Sequence, residues 1–282
     1  MNYLKYLENK EHETGTFPVA YYKVCENHPQ YNMIHHWHKE TELLYVCQGK
    51  LHLTINRTEY EVLEGEFCYI PSGYIHGAEP ENCIYECIDF NINSPQLQIP
   101  IVRELLSSIG KRNCIIMPHF TSKQPEILTL LKHLFEIVDK RQAGWEIIFI
   151  SDLLSFFGCV IQNGYICEKT KNLSNQNMLE FKAVIEFIEQ NYQNHISLDE
   201  LSKIMGMCSK YFCKIFRDVF NKTPIDYLNT FRIEKACELL ALGQNSITEV
   251  AYLCGFNDSC YFARCFKKYK NTTPKKYMIE KR

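Results

Sequence analysis

The 282-residue chain lacks most of the features that would place it outside a reducing cell interior. It has 14 cysteines but no CxxC pair and no regular cysteine spacing, which argues against a disulfide framework and for free thiols. Its opening, MNYLKYLENKEHETG, has neither an apolar signal core nor a small-residue cleavage site, so export is not expected. An uninterrupted oily run is also missing. The longest, Trp145 to Ile166, carries Glu146, Asp152 and Asn163, and one Asp at mid-bilayer costs roughly 3 kcal/mol. A buried helix in a cytoplasmic chain with no membrane contact is the expectation. Strong net charge is absent too, and the value of −2 names no partner. What is present is apolar: 46% hydrophobic and 13% aromatic residues suit a globular chain, and the length suits two domains.

Charge is unevenly spread. Residues 1–177 hold 15 Lys and Arg against 21 Asp and Glu, and residues 178–282 hold 16 against 12. An acidic half joined to a basic half points to nucleic acid as the partner of the second. The join is polar, EKTKNLSNQN at Glu168–Asn177, as a linker is.

The basic half contains a repeat. NKTPIDYL at Asn221–Leu228 returns as NTTPKKYM at Asn271–Met278, and Tyr211, Phe212, Phe216, Thr223, Pro224 and Tyr227 recur fifty positions on as Tyr261, Phe262, Phe266, Thr273, Pro274 and Tyr277. Phe212, Ile215, Phe216 and Val219 follow helical spacing, as do Phe262, Cys265, Phe266 and Tyr269, so each copy holds an amphipathic helix with an aromatic stripe. Ahead of each stands a short helix, SLDELSKIM or SITEVAYLC. Capping boxes open them, Ser197 with Glu200 and Ser246 with Glu249, and Gly206 or Gly255 closes them. Helix, glycine turn, helix is the signature of a helix-turn-helix unit.

One such unit alone could be mere packing in a helical domain. The faces opposite the aromatic stripes separate the two readings: they present Ser209, Lys210, Cys213, Lys214 and Arg217 in the first copy, and Ser259, Cys260, Ala263, Arg264, Lys267 and Lys268 in the second. Short side chains near the N-terminus let a helix approach the floor of the major groove, while Arg and Lys reach guanine edges and phosphates. The segment PIDYLNTFRIEKACELLAL would fix the separation of the copies, and about 34 Å places two reading helices in successive grooves on one side of a duplex. With GFNDSCYFARCFKKYKNTTPKKY and YLNTFRIEKACELL, residues 178–282 resemble the DNA-binding domain of the AraC family of bacterial transcription regulators. The resemblance implies seven helices, two helix-turn-helix units, and double-stranded promoter DNA and RNA polymerase as partners. Cys208 departs from it, standing where the family usually has a Ser cap. Cys213 and Cys260 on the reading faces leave Lys210, Lys214, Ser259 and Arg264 as the stronger base-reading candidates.

In the acidic half, HWHKETELLYVCQG places His36, His38 and Glu42 at even spacing, so on one strand all three project from the same face, with His35 on the other. GEFCYIPSGYIH adds Gly65, a Pro-Ser-Gly turn and His76. These spacings are similar to both halves of the cupin motif, and short alternating segments such as KLHLTINRTEYEV and IYECIDFNI fit a small β-barrel. The resemblance implies a cupin sensor of the kind AraC-like regulators commonly carry. Three uses of His36, His38, Glu42 and His76 are open. They can hold a divalent metal, since imidazole suits iron, nickel, zinc or copper and carboxylate suits manganese as well. They can touch a polar small-molecule effector such as a sugar, or they can satisfy one another. No cofactor is required by the sequence.

The expected fold is therefore α+β in two domains: a cupin-like sensor barrel at 1–120, a helical subdomain at 121–167, a linker at 168–177 and an all-α DNA-binding domain at 178–282. In the helical subdomain Ile127, Leu130, Leu131, Leu134 and Val138 form one stripe, and the Trp145–Ile166 helix is apolar on more than one face. That pair either packs on the barrel or forms a homodimer interface. Two function classes follow, a ligand-responsive transcription regulator such as an activator, or a metal-dependent cupin oxygenase or isomerase fused to a DNA-binding domain. Nothing else in residues 1–177 suggests chemistry. The regulator is favoured, no catalytic residue is assigned, and metal analysis separates the two.

Overall fold

The computed structural model describes residues 17–26, 28, 31–94, 97, 99–168 and 175–281. The chain forms two compact units, one of Lys5–Met33 with Trp37–Asn172 and the other of Leu173–Arg282 with Ile34–His36.

The strands are β1 (Val19–Val24), β2 (Met33–His36), β3 (Thr41–Ile55), β4 (Thr58–Leu63), β5 (Phe67–Ile70), β6 (His76–Phe90) and β8 (His119–Phe120), with a separate pair β7 (Cys114–Ile116) and β9 (Ile166–Glu168). The seven-stranded sheet runs β1-β6-β3-β5-β8, with β2 added to β6 and β4 added to β3. Strands β3 and β6 pair along their whole length and carry different partners at their two ends. Register slips in this pair between Val46 and Lys50. The slip changes which parity faces inward, so Leu44 and Val46 before it and Leu51, Leu53 and Ile55 after it line one core. Gly49, the glycine of the cupin-like spacing, sits in the slip at φ +76°, where a Cβ would lie 2.1 Å from the Asn82 carbonyl oxygen. Because strand residues from both ends share that core, the sheet must curl over it.

The opposite face of the sheet, with Leu43, Phe67, Tyr69, Ile88 and Phe90, is covered by helices. These are α1 (Pro100–Lys111), α2 (Pro125–Lys140) and α3 (Trp145–Asn163). Helix α2 buries Ile127, Leu131, Leu134, Phe135 and Val138, and α3 buries Phe149, Leu153, Phe156, Phe157 and Val160. Helix α3 is long and apolar enough to span a membrane by composition, yet this face is packed into the core of the unit. Two sequence expectations are corrected here. The helix expected over Trp145–Ile166 ends at Asn163, because Gly164 takes φ +66° and Ile166 enters β9. Helix α1 stands inside the range assigned to the barrel.

The second unit holds seven helices among the described residues: α4 (Asn175–Asn191), α5 (Leu198–Ile204), α6 (Ser209–Phe220), α7 (Pro224–Leu242), α8 (Ile247–Leu253), α9 (Ser259–Lys270) and α10 (Pro274–Lys281). The expected linker at 168–177 falls mostly outside the described residues, at 169–174, while Glu168 ends β9 and Asn175–Asn177 already belong to α4. Both capping boxes form, Ser197 with Glu200 and Ser246 with Glu249. Gly255 turns α8 into α9 at φ +81°, and a Cβ there would meet the Tyr192 carbonyl at 2.4 Å. Thr223 caps α7 by accepting from the Asp226 amide, and Asn221 and Asn271 end α6 and α9 in the left-handed conformation. Helix α7 lies between the copies and buries polar side chains along with apolar ones, namely Asn229, Thr230, Arg232 and Glu234.

Candidate functional site

Helices α6 and α9 each bury the aromatic stripe read from the sequence, Phe212, Ile215 and Phe216 in one and Phe262, Cys265 and Phe266 in the other. The opposite faces are open: Lys210, Lys214 and Arg217 are exposed on α6, as are Cys260, Arg264, Lys267 and Lys268 on α9, while Ser209, Cys213 and Ser259 are half-buried. Not every hydroxyl or cation there is idle. The Ser209 hydroxyl donates to Asp199 at 2.5 Å and lies 3.1 Å from that of Ser202, which ties the start of α6 back to α5. Lys268 donates to Asp226 on α7 at 2.8 Å, and Asp226 pushes the pKa of Lys268 up. A phosphate reached by Lys268 would have to compete with that carboxylate. Arg217, Lys222, Asp226 and Lys268 line a cleft of about 380 Å³ between the C-terminal ends of the two helices.

Several residues that hold this surface were not singled out from the sequence. Asp258 caps α9, accepting from the amides of Cys260 at 2.6 Å and Tyr261 at 3.0 Å, which holds its own carboxyl below the usual range. At the start of α6, Cys208 makes no side-chain cap hydrogen bond. Asn229 donates to the Tyr261 hydroxyl at 2.9 Å, and Lys270 pairs with Glu234 at 2.5 Å with both groups nearly buried. Asp258 carried a signal in its position before the helix, as a residue type that caps. The others depend on which faces of α7 and α9 meet.

In the first unit the structure gathers His38, Glu42 and His76 of the cupin-like spacing. The Pro71-Ser72-Gly73 turn is tied to the His38 segment, with Gly73 N donating to the His38 carbonyl at 2.9 Å and the Ser72 hydroxyl to that of Lys39 at 2.6 Å. That tie brings His76 beside Glu42: His76 Nε2 lies 2.9 Å and His38 Nε2 3.3 Å from the same carboxylate oxygen. His38 and His76 meet edge to face at 5.0 Å. Ligand atoms of His38, Glu42 and Asp89 all fall within 4.8 Å of one another. Asp89 was missing from the sequence reading. It faces Glu42 directly across the β3–β6 ladder.

Each imidazole is oriented in the same way. Nδ1 of His36, His38 and His76 lies 2.8, 3.1 and 2.9 Å from the carbonyl oxygens of Ile34, Glu40 and Tyr74. A ring that uses Nδ1 locally presents Nε2 to the cluster, the arrangement seen when a backbone carbonyl orients a metal-ligating histidine. Burial alone would drive the Glu42 carboxyl up, but His76 and His38 beside it hold it well below the usual range. Burial likewise opposes a charge on His38. The hydrogen bond and charge of Glu42, helped by Asp89 and Glu40, nevertheless raise it to about 9. A buried acid and a charged imidazole thus sustain each other, in a site suited to a cation or a polar ligand.

Comparisons with known proteins cover both units. The family described as AraC-like ligand binding domain matches residues 22–155, and that described as helix-turn-helix domain matches residues 201–279. The HTH-type transcriptional regulator YdeC of Bacillus subtilis (strain 168) is 29% identical over 279 residues, spanning 96% of this chain and 94% of that one. The C-terminal domain of the two-component response regulator yesN from Fusobacterium nucleatum is 34% identical over 35% of this chain and 96% of its own, with a TM-score of 0.33. The unsaturated fatty acid bound form of wild-type ToxT from Vibrio cholerae strain SCE256 is 13% identical, covering 94% of this chain and 96% of its own, with a TM-score of 0.49.

Proposed function

The chain belongs to the AraC family of transcription regulators, and from that premise we propose that it places α6 and α9 in successive major grooves of promoter DNA. In this reading a ligand taken up by the imidazole–carboxylate cluster then changes the output of RNA polymerase. The observation that carries the DNA half is the pair of exposed basic faces on helices held by one connecting helix, Lys210, Lys214 and Arg217 on one and Arg264 and Lys267 on the other. Arg264 reads a guanine edge, and Lys267 meets a phosphate. The test is selection of duplexes from a random-core library by the full-length chain. Enriched sites with two half-sites about one helical turn apart, bound with affinity that falls steeply with salt, support the reading. Folded protein that enriches no sequence overturns it.

The sensor half rests on the convergence of His38, Glu42, His76 and Asp89, with His36 as a further member of the proposed site. The donor set suits a divalent cation, with the Nε2 atoms of His38 and His76 left by carbonyl-bound Nδ1 atoms beside one buried carboxylate. A cation held there by His36, His38, His76 and Glu42 would give a polar effector a Lewis-acidic contact. Without one, His38 offers the charge itself. In this reading the cluster binds and signals, and no catalytic residue is assigned. Elemental analysis and calorimetry on the wild type and on a His38→Ala/His76→Ala variant test it. Loss of ligand or metal uptake, with DNA binding kept and reporter output frozen at one level, is the expected result. Full inducer response in the variant would return the cluster to a structural role.

Helix α3 supports a homodimer in the same scheme. Ile147, Leu154 and Ile161 recur every seven residues and are 75%, 39% and 54% exposed, an apolar seam that a second copy of α3 could cover. Sedimentation of Ile147→Glu/Ile161→Glu as a monomer, against a wild-type dimer, is the expected outcome.

A further inference from the structure

We propose that Asn229 and Tyr261 are positioning residues that set the base specificity of Arg264, an inference that rests on the reading of α9 as a groove-reading helix. Asn229 is 5% exposed in the middle of α7, and its amide donates to the Tyr261 hydroxyl at 2.9 Å. The Tyr261 ring is 42% exposed, and the guanidinium carbon of Arg264, one turn further along α9, stands 5.8 Å from its centroid. Asp258 fixes the backbone from which the ring springs by accepting from the Tyr261 amide. A chain of contacts therefore runs from the buried connecting helix, through an aromatic ring, to an exposed cation on the reading face.

Such a chain matters because arginine has a long flexible stem, and ordering it at the moment of binding costs affinity and blurs geometry. A guanidinium already resting on a ring face has fewer rotamers to lose and presents its fork in a narrower range of directions. The first copy differs in the last member: fifty positions before Arg264 stands Lys214, which offers Tyr211 no planar cation to stack on its ring. The two helices should therefore differ in kind, α9 discriminating bases sharply through a pre-placed arginine and α6 contributing more to affinity through a mobile lysine.

The experiment uses the full-length chain and a duplex selected from a random-core library, together with its single-base variants. Arg264→Ala should flatten discrimination at one base position. Tyr261→Leu should lower discrimination at that same position about threefold, with the salt dependence of binding unchanged and no further loss when combined with Arg264→Ala. Tyr261→Phe keeps the ring face and should recover most of it, the remaining shortfall measuring the Asn229 contact. Should Tyr261→Leu fail to fold, Asn229→Leu carries the same test with an expected loss of about twofold. A folded Tyr261→Leu that discriminates like the wild type overturns the positioning role while leaving Arg264 as a reader. If Arg264→Ala relaxes no position, the base-reading premise falls and the inference falls with it.

Discussion

Two helices grown from one repeated pattern are held in place by different forces. Helix α6 meets α7 through rings, Phe216 and Phe220 lying 5.7 and 5.6 Å from Tyr227, and its first turn has no side-chain cap. Helix α9 meets α7 through polar groups as well: Asn229 to Tyr261, Asp226 to Lys268 and Tyr269, and Glu234 to Lys270. Its first turn is capped by Asp258. Ring packing is tolerant of small rotations, whereas a hydrogen bond weakens within a few tenths of an ångström and some tens of degrees. Against α7 the second reading helix is thus the more sharply oriented, whereas α6 takes its polar tie from α5 through Ser209.

The largest way to break that contrast is at the buried pair. Glu234→Ala leaves Lys270 without its carboxylate in a site where its side chain is only 10% exposed, and loss of one partner of such a pair costs about 3–5 kcal/mol. Replacing both groups, Glu234→Met with Lys270→Leu, should restore most of the stability, because the cost lies in a stranded charge. Denaturant unfolding of the full chain measures both. The double variant should still bind DNA but discriminate bases less well, since the tie that orients α9 becomes an apolar contact.

Charge also anchors the sheet unit, and there pH is the tool. The folded-state pKa of His38 is raised from 6.5 to about 9, so its contribution is fully present below about pH 6.5 and is lost as pH rises through 9. That of Glu42 is lowered, so its share is present above about pH 4.5 and is lost as pH falls. In chelator-treated protein the stability of the sheet unit should drop by roughly 2–3 kcal/mol between pH 6.5 and 9.5, and His38→Gln should remove most of the slope. An unchanged slope in that variant would assign the titration to another group.

How much of this was legible in the sequence follows from the range of each interaction. Capping boxes, aromatic stripes and the glycine turns are local, and Ser197, Phe212 and Gly255 stand where their spacing put them. His76 was legible because a Pro-x-Gly turn reverses the chain, but the single strand expected for His36, His38 and Glu42 is corrected: β2 ends at His36, His38 lies in the break between strands, and β3 begins at Thr41. Asp89 was not legible, since only the β3–β6 register places it opposite Glu42. The ties of α7 were equally hidden, because a helix buried on several sides gives no face to read, and Asn229 or Glu234 looks like an ordinary polar position. Asn175–Asn177 have the polar composition of a linker, yet they open α4.

A smaller test supplies α6 with what α9 already has. Asp258→Ala should cost about 1 kcal/mol by leaving the Cys260 and Tyr261 amides without their acceptor, whereas Cys208→Ser should gain up to about 1 kcal/mol at the matching start of α6. Thermal unfolding reads both. If the cap is what separates the two helices, Cys208→Ser should also slow hydrogen exchange in the first turn of α6. Exchange there that stays as fast as before would leave the difference to the polar ties alone.

The smallest expected effect is at the exposed strut. Asp226→Asn weakens the contact to Lys268 but keeps a group that can accept from the Tyr269 hydroxyl, and the pair is 39% and 61% exposed, so its loss should cost less than about 1 kcal/mol. Binding should respond in the opposite direction. With Asp226 neutral, Lys268 is free to meet a phosphate, which adds one counterion to the salt dependence and raises affinity for all sequences alike at low salt. Lys268→Ala in the wild-type background should then change the salt slope less than Lys267→Ala does, because Lys267 is on the reading face without that carboxylate. Equal slopes for the two lysine variants would mean that the strut opens on binding and that Asp226 restrains α9 only in the free protein.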